Sequence, residues 1–154
     1  MKNLYGIIFS IVFFIDRLSK FWALYALQTD AYTISSWCSF NLVWNRGISW
    51  SLLTPTSRFY DLLLISFIGS ILIGFVIYIV IHLRLKKSLF FEIIILAGGL
   101  SNFFDRFLYG AVLDFIQLHW NDWYWPTFNI ADSAIVIGVL GILFLSLLRP
   151  SENV

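Results

Sequence analysis

Several ionisable residues lie in or beside sequence that is apolar enough for a membrane interior. Between residues 98 and 132 the chain carries Asp105, Arg106, Asp114 and Asp132. A charged side chain at membrane depth is costly unless it pairs with another charge or faces a polar cavity. These residues are therefore the first candidates for a functional site.

Three of the four aspartates of this stretch are expected to meet at one surface. Asp105 ends the third apolar segment, Asp132 begins the fourth, and Asp114 lies in the connection between them. Two carboxylates within hydrogen-bonding range share a proton, and low polarity raises the apparent pKa values of the pair. One carboxylate can then take a proton from an attacking water while the other protonates the oxyanion or the departing amine. The residue types predict an acid–base pair of the aspartic-peptidase kind.

Structural interpretations of these charged residues stay open beside the catalytic one. Asp105 and its neighbour Arg106 could form an ion pair that ends a helix, and Asp132 could cap the fourth helix through its backbone amides. Asp16 and Lys20 stand four residues apart, on one face of a helix, where they can neutralise each other. Such a pair can serve membrane insertion alone or belong to a site.

A turn between the first two apolar segments supplies one more candidate. Asn45 and Arg46 precede Gly47, and glycine readily adopts a positive φ. The turn could present amide groups to an extended ligand, or it could be a plain turn.

The composition of the chain is that of an integral membrane protein. Of 154 residues, 60% are hydrophobic and 12% are charged, whereas charged residues reach about 25% in soluble domains. The net charge of +1 and the dispersed basic residues argue against a nucleic-acid partner. A single cysteine, Cys38, cannot form an internal disulfide, and no metal-binding motif is present. We therefore expect neither a metal nor a cofactor.

Hydropathy predicts an all-α membrane protein with four transmembrane helices in one domain over residues 1–154. A helix needs about 20 residues to cross the hydrocarbon core, and four segments are long enough. The predicted spans are residues 4–27, 61–83, 89–108 and 128–148. Short runs between the first two spans, YTISSW, SFNLVW and ISWSLL, predict a small β-like extracytoplasmic lobe.

Basic residues and tryptophans orient these spans. The basic residues on the side of the two termini are Lys2, Arg84, Lys86, Lys87 and Arg149. Most tryptophans lie in the two connections on the opposite side, as in an aromatic belt at the outer interface. The positive-inside rule then predicts that both termini are cytoplasmic and that the site lies at the outer face.

Five motifs, in order along the whole chain, resemble those of one bacterial family. They are DRLSK (16–20), NRGISW (45–50), GGLSNFFDR (98–106), AVLDF (111–115) and FNIADS (128–133). The chain resembles the lipoprotein signal peptidases (signal peptidase II), which are membrane aspartic peptidases. The resemblance implies that Asp114 and Asp132 are catalytic. It implies supporting or substrate-binding roles for Asp16, Lys20, Asn45, Gly47, Asn102, Asp105, Arg106 and Asn129. Ser101 stands where the family usually has glycine.

The resemblance also implies the reaction and its setting. The family removes the signal peptide of lipid-modified prolipoproteins just before the diacylglyceryl-cysteine, in the bacterial cytoplasmic (inner) membrane, without metal or cofactor. The expected partners are diacylglyceryl-modified signal peptides, membrane lipid and cyclic-peptide inhibitors of the globomycin type. A monomer is expected.

Two other functional classes compete with this hypothesis. A serine peptidase could use Ser19 beside Lys20 or the GLSN sequence, but adjacent helical residues point about 100° apart and GLSN lacks an assigned base. A small ion or proton translocator could use Asp16, Asp105, Asp114 and Asp132 as a relay. A relay should place its carboxylates at successive depths, whereas most of these gather at one face.

Overall fold

The apolar segments of the chain form long helices that bundle beneath a small sheet. The structure is a computed structural model that describes residues 2–47 and 57–148. Its helices in that part of the chain are α1 (Lys2–Ala26), α2 (Arg58–Arg84), α3 (Phe90–Tyr109) and α4 (Ile130–Leu148). Each coincides with one predicted span, and their ends differ by at most three residues.

One antiparallel sheet is built from both outer connections of the bundle. Its strands, in spatial order, are β1 (Tyr32–Ser35), β2 (Cys38–Asn45), β3 (Val112–Trp120) and β4 (Trp123–Tyr124). The predicted strands between the first two helices are confirmed as β1 and β2, but the sheet is larger than predicted, because β3 and β4 belong to the connection between α3 and α4. The third predicted run, ISWSLL, lies outside the described residues.

The longest strand, β3, escaped prediction because of how it is buried. Its first four residues, from Val112 to Phe115, are all buried, so buried and exposed positions do not alternate there. A run that is buried on both faces lacks the two-residue period by which a strand is recognised. It is a strand because β2 pairs with it, with Val43 opposite Asp114 and Asn45 opposite Val112. This register places Asn45 diagonally across from Asp114, within reach of its side chain.

Helix α3 is the centre of the bundle and packs against α1, α2 and α4. The approach of α3 to α4 is close because Gly98 has no side chain: a Cβ there would lie 2.6 Å from the backbone oxygen of Ala131. Close backbone approach at small residues is the usual way that membrane helices pack. It brings the end of α3 against the first turn of α4.

Two apolar clusters flank the middle of the bundle. At one end, Tyr5 packs with Ile93 and Leu96, and its hydroxyl accepts a hydrogen bond from the backbone N–H of Leu89 at 3.2 Å. At the other end, Ala23, Leu27, Leu113 and Phe115 join the end of α1 to β3. Asp16 and Lys20 of α1 and Asp105 of α3 lie between these clusters.

Two of the described helices, α2 and α4, are long and apolar enough to cross a membrane by length and composition. Helices α1 and α3 carry charged residues away from their ends, among them Asp16 and Lys20 in α1 and Asp105 in α3. Those three side chains are buried in the bundle rather than exposed on it. The charged residues that lower the hydropathy of α1 and α3 therefore lie inside the bundle.

The close contact of α3 with α4 predicts a strong effect of one methyl group. Gly98→Ala should lower the free energy of unfolding by about 1–3 kcal/mol, because the new Cβ meets a backbone oxygen that cannot rotate away. The matched control is Gly74→Ala in α2, where a Cβ has nothing within 4 Å. Thermal unfolding in detergent should show a lower Tm only for Gly98→Ala. Equal Tm values for both variants would contradict the tight packing.

Candidate active site

The two candidate catalytic aspartates line the same cavity. Asp114 comes from β3 and Asp132 from the first turn of α4, and the cavity between them measures about 650 Å³. Its other polar residues include Asn45, Asn102, Arg106, Thr127 and Ser133, and the rest of its lining is mostly apolar. The sheet and the helices therefore each bring one carboxylate to a shared space.

Asp132 is held by the start of its own helix. The backbone N–H of Asp132 donates to Asn129 Oδ1 at 2.9 Å, and the backbone N–H of Asn129 donates to Asp132 Oδ2 at 3.1 Å. This reciprocal pair is a capping box, so the predicted capping role of Asp132 is confirmed. Its other oxygen, Oδ1, accepts from Asn102 Nδ2 at 2.8 Å. Capping thus fixes the carboxylate without removing it from the cavity.

Asn129 also links the two aspartates. Its side chain is fully buried, and Nδ2 donates to Asp114 Oδ1 at 2.6 Å and to Asn102 Oδ1 at 3.1 Å. Asp114 Oδ2 accepts from Asn45 Nδ2 at 3.0 Å. Side-chain amides therefore hold both carboxylates from the protein side.

The environment of Asp114 favours its protonated form. Burial, followed by the nearby negative charge of Asp132, raises the pKa of Asp114 to about 7, although the amide hydrogen bonds of Asn45 and Asn129 and the charge of Lys20 act to lower it. Desolvation and a like charge are the two causes that produce a carboxylic acid at neutral pH. Asp114 therefore exchanges its proton near neutrality, as an acid–base pair requires.

A buried ion cluster supports these residues. Lys20 Nζ lies 2.8 Å from Asp16 Oδ2, 2.8 Å from Asp105 Oδ2 and 2.7 Å from Asn102 Oδ1. Asp16, Lys20 and Asp105 are each at most 2% exposed. An ammonium group has three N–H donors, and all three are used here. The predicted pairing of Asp16 with Lys20 is confirmed, and it is part of a larger group.

The two acids of this cluster each hold the backbone beside one cavity aspartate. Asp16 Oδ1 accepts the backbone N–H of Ala131 at 2.7 Å, one residue before Asp132. Asp105 Oδ2 accepts the backbone N–H of Leu113 at 3.3 Å, one residue before Asp114. Lys20 binds both Asp16 and Asp105. A single ammonium group therefore helps to position both cavity aspartates.

Arg106 does not form the expected ion pair with its neighbour. Adjacent residues on a helix point in different directions, and Asp105 pairs instead with Lys20 and Arg17. The Arg106 guanidinium donates to the backbone oxygens of Arg46, at 3.3 Å, and Gly47. It thus binds the turn that follows β2, beside the cavity.

The structure brings all ten predicted site residues into this region and adds two that sequence reasoning missed. Arg17 pairs with Asp105 and lies over the ring of Phe104, 5.1 Å from its centre. Ser101 is fully buried and donates to Asp16 Oδ2 at 2.6 Å. An arginine inside an apolar span was itself a signal. No comparable signal marked the serine.

The geometry contradicts the serine-peptidase alternative. Ser19 Oγ donates to the backbone oxygen of Asp16 in its own helix at 2.8 Å, and Ser101 Oγ is used by the Asp16 carboxylate. Lys20 has its three donors bound and offers no lone pair as a base. Neither serine is therefore an activated nucleophile.

Comparison with known proteins gives one consistent match. A family model described as signal peptidase (SPase) II matches residues 8–149. A lipoprotein signal peptidase from Anaplasma phagocytophilum (strain HZ) is 33% identical over 154 residues, covering 98% of this chain and 97% of the relative. A lipoprotein signal peptidase from Francisella tularensis subsp. novicida (strain U112) is 34% identical over 155 residues, covering 99% of this chain and 96% of the relative.

Solved structures agree with the sequence matches. One bacterial membrane enzyme, determined by the in meso method at 2.3 Å, superposes with a TM-score of 0.76 at 25% identity, covering 99% of this chain and 94% of that one. Another, determined at 1.9 Å, gives a TM-score of 0.70 at 26% identity, covering 97% and 95%. The fold is therefore that of a bacterial membrane enzyme along nearly its whole length.

The ion cluster predicts that Lys20 carries much of the stability. Lys20→Met should lower the free energy of unfolding by about 3–5 kcal/mol, because two buried carboxylates lose their common partner. Lys87→Met, in the exposed connection between α2 and α3, is the matched control and should change it little. Denaturant or thermal unfolding in detergent measures both. A Lys20→Met protein as stable as the control would show that the cluster is not held by this charge.

The raised pKa of Asp114 predicts how stability depends on pH. The pKa of about 7 in the folded protein exceeds the ordinary value of 3.8, so the folded protein holds this proton more tightly than the unfolded chain. The resulting stability is complete below about pH 4 and is lost as the pH rises through about 7, by at most about 4 kcal/mol.

Asp114→Asn removes the titration and should flatten this part of the curve. The free energy of unfolding of both proteins is measured between pH 4 and 8. The quantity compared is the slope of this free energy against pH, not its absolute value. Parallel curves would mean that Asp114 ionises at its ordinary pKa.

Proposed function

The chain belongs to the lipoprotein signal peptidase (signal peptidase II) family, and we propose that it is an aspartic endopeptidase that removes the signal peptide of lipid-modified prolipoproteins. The cut falls just before the diacylglyceryl-modified cysteine. The observation that carries the aspartic mechanism is the shared cavity of Asp114 and Asp132, to which two different structural elements each contribute one carboxylate.

Peptide hydrolysis needs one base and one acid, and the pair supplies both. At neutral pH one proton is shared by Asp114 and Asp132, since two neighbouring carboxylates do not both ionise. The ionised carboxylate takes a proton from water as its oxygen attacks the scissile carbonyl. The protonated one gives its proton to the carbonyl oxygen as the tetrahedral intermediate forms. The first carboxylate then passes the proton from water to the amine nitrogen as the C–N bond breaks, and the second recovers its proton as the carbonyl forms again. The amides of Asn45, Asn102 and Asn129 keep both carboxylates facing the cavity.

The apolar part of the cavity fits the lipid part of the substrate. It is lined by residues from three helices, namely Ile68, Gly99, Phe103, Ile135, Val136 and Ile137. Helices α2 and α4 both pack against α3, and the cavity includes residues from all three. Acyl chains attached to a cysteine would bury apolar surface there while the peptide bond reaches the carboxylates.

The polar end of the cavity offers groups for an extended peptide. Asn45 Oδ1 is buried and has no hydrogen-bond partner within residues 2–47 and 57–148. A buried acceptor without a partner is costly, and a substrate backbone N–H would satisfy it. Arg106 lines the same cavity and can donate to a peptide carbonyl while it binds the turn at Gly47.

We further propose that the four helices cross the bacterial cytoplasmic membrane, with both termini cytoplasmic and the site at the outer face. Support for α2 and α4 is their length and apolar composition. Support for α1 and α3 is that their charges pair inside the bundle while apolar side chains such as Phe14, Leu18 and Phe107 are exposed. The basic residues at the opposite end are the orienting signal.

The translocator alternative has less support from the geometry. Asp16 and Asp105 are each bound by Lys20, and the cavity is lined by Asp114 and Asp132 instead. A relay needs carboxylates that can bind and release protons along a path. Two acids held in ion pairs away from the cavity do not provide one.

Substitution of either aspartate tests the proposed function directly. Asp114→Asn and Asp132→Asn should each lower the cleavage rate by about 100- to 10,000-fold, because an amide neither accepts a proton from water nor donates one as an acid. Asp122→Asn, in the exposed turn between β3 and β4, is the matched control and should cleave as the unaltered protein does. The assay uses purified protein with a diacylglyceryl-modified precursor and the same precursor without lipid.

Several outcomes would contradict this proposal. Full activity of folded Asp114→Asn would move the catalytic role to another carboxylate, and equal cleavage of the precursor without lipid would remove the role of the apolar cavity. Inhibition by a chelator or by a serine-directed reagent would point to a different chemistry.

A further inference from the structure

The hydroxyl of Ser101 lies at the meeting point of three helices, outside the cavity. Ser101 belongs to α3 and is fully buried, and its Oγ donates to Asp16 Oδ2 of α1 at 2.6 Å. The other oxygen of Asp16 accepts the backbone N–H of Ala131 in α4 at 2.7 Å. One serine hydroxyl is thus linked through one carboxylate to the first turn of the helix that carries Asp132.

Three donors fix the plane of the Asp16 carboxylate. Lys20 and Ser101 both bind Oδ2, and the backbone N–H of Ala131 binds Oδ1. Lys20 is a flexible chain that belongs to the same helix as Asp16, whereas Ser101 has a short side chain on a different, central helix. Without the Ser101 hydroxyl, the carboxylate loses its direct hydrogen bond to α3, keeps only the indirect link through Lys20, and is freer to rotate about its own Cβ–Cγ bond.

Rotation of Asp16 would be transmitted to Asp132. A carboxylate at the first turn of a helix is held there by backbone N–H groups, and this one is held by the N–H of Ala131, one residue before Asp132. Asn102, the neighbour of Ser101, donates directly to Asp132 Oδ1 at 2.8 Å. Two adjacent residues of α3 are therefore linked to Asp132: Asn102 binds its side chain directly, and Ser101 is linked to it through Asp16 and the backbone N–H of Ala131, the preceding residue.

We propose that Ser101 is a positioning residue of the peptidase reaction, which it serves by orienting Asp16 and thereby the first turn of α4. This inference rests on the proposed function, because it assigns Ser101 an effect on the step that Asp132 performs. Ser101 is absent from the residues that line the cavity. It therefore acts on the rate of the chemical step and not on the binding of the precursor.

The experiment compares kcat and KM of folded Ser101→Ala with those of the unaltered protein on a diacylglyceryl-modified precursor. Alanine keeps the Cβ and removes only the hydroxyl. The expected result is a kcat lower by roughly tenfold, the effect of one lost hydrogen bond to a charged group, with an unchanged KM. Ser101→Thr, which retains a hydroxyl, should restore most of kcat.

The matched control is Ser146→Ala in α4. Its hydroxyl donates only to the backbone oxygen of Leu143 in the same helix, at 2.7 Å, on an exposed surface. This variant should keep both kcat and KM. Activity is expressed per folded protein, quantified by gel filtration in detergent at a temperature well below the Tm of each variant.

Each alternative outcome has a distinct meaning. A lower Tm with an unchanged kcat would overturn the proposal, since the hydroxyl would then serve only the fold. A raised KM with an unchanged kcat would overturn it as well, since Ser101 would then affect the binding of the precursor.

If Ser101→Ala is not recovered folded, Ser101→Cys is measured in its place, because a thiol is a weaker donor of similar size. An unchanged kcat again overturns the proposal. Absence of cleavage by the unaltered protein would instead refute the proposed function.

Discussion

The ammonium group of Lys20 is the interaction on which the rest of the site depends. Its three donors reach Asp16, Asp105 and Asn102, and each contact leads to a different part of the cavity. Burial of either acid without a cation would cost several kcal/mol. Together with Arg17, which pairs with Asp105, the cluster contains two positive and two negative charges and is neutral as a whole. Neutrality is the condition under which such a group can lie between membrane helices.

The orientation of the amides follows from this cation. Asn102 turns its oxygen towards Lys20 and Asn129, so its nitrogen has to face Asp132. Asn129 in turn directs its nitrogen to Asp114 and its oxygen to the backbone N–H of Asp132. An amide that was flipped would place two acceptors together, which is unfavourable. The charge of one lysine thus determines which amide atoms the two carboxylates meet, and both carboxylates also line the cavity.

Hydropathy and the placement of charges predicted the helices and the charged residues of the candidate site, because a charged residue is conspicuous in an apolar segment. Asn102 and Asn129 were predicted only by the resemblance to the family. Neither hydropathy nor the placement of charges could predict the direction in which each side chain points. Arg106 stands beside Asp105 in the sequence but points to Gly47, since one step along a helix is a large rotation. The strand that carries Asp114 was missed because it is buried on both faces and owes its form to β2. The role of Ser101 was not predicted, because a serine between apolar residues has no distinctive pattern until its partner is located.

The separation of contacting residues along the chain has a consequence for biosynthesis. Asp16 meets its partner Ala131 across 115 residues, and β2 meets β3 across the whole of α2 and α3. A nascent chain is made from its N-terminus, so α1 is made long before α4 exists. At that stage only Lys20 is available to neutralise Asp16. The cavity that Asp114 and Asp132 share is completed only when α4 has been made, and a ribosome-bound chain that ends before α4 lacks one of its two carboxylates.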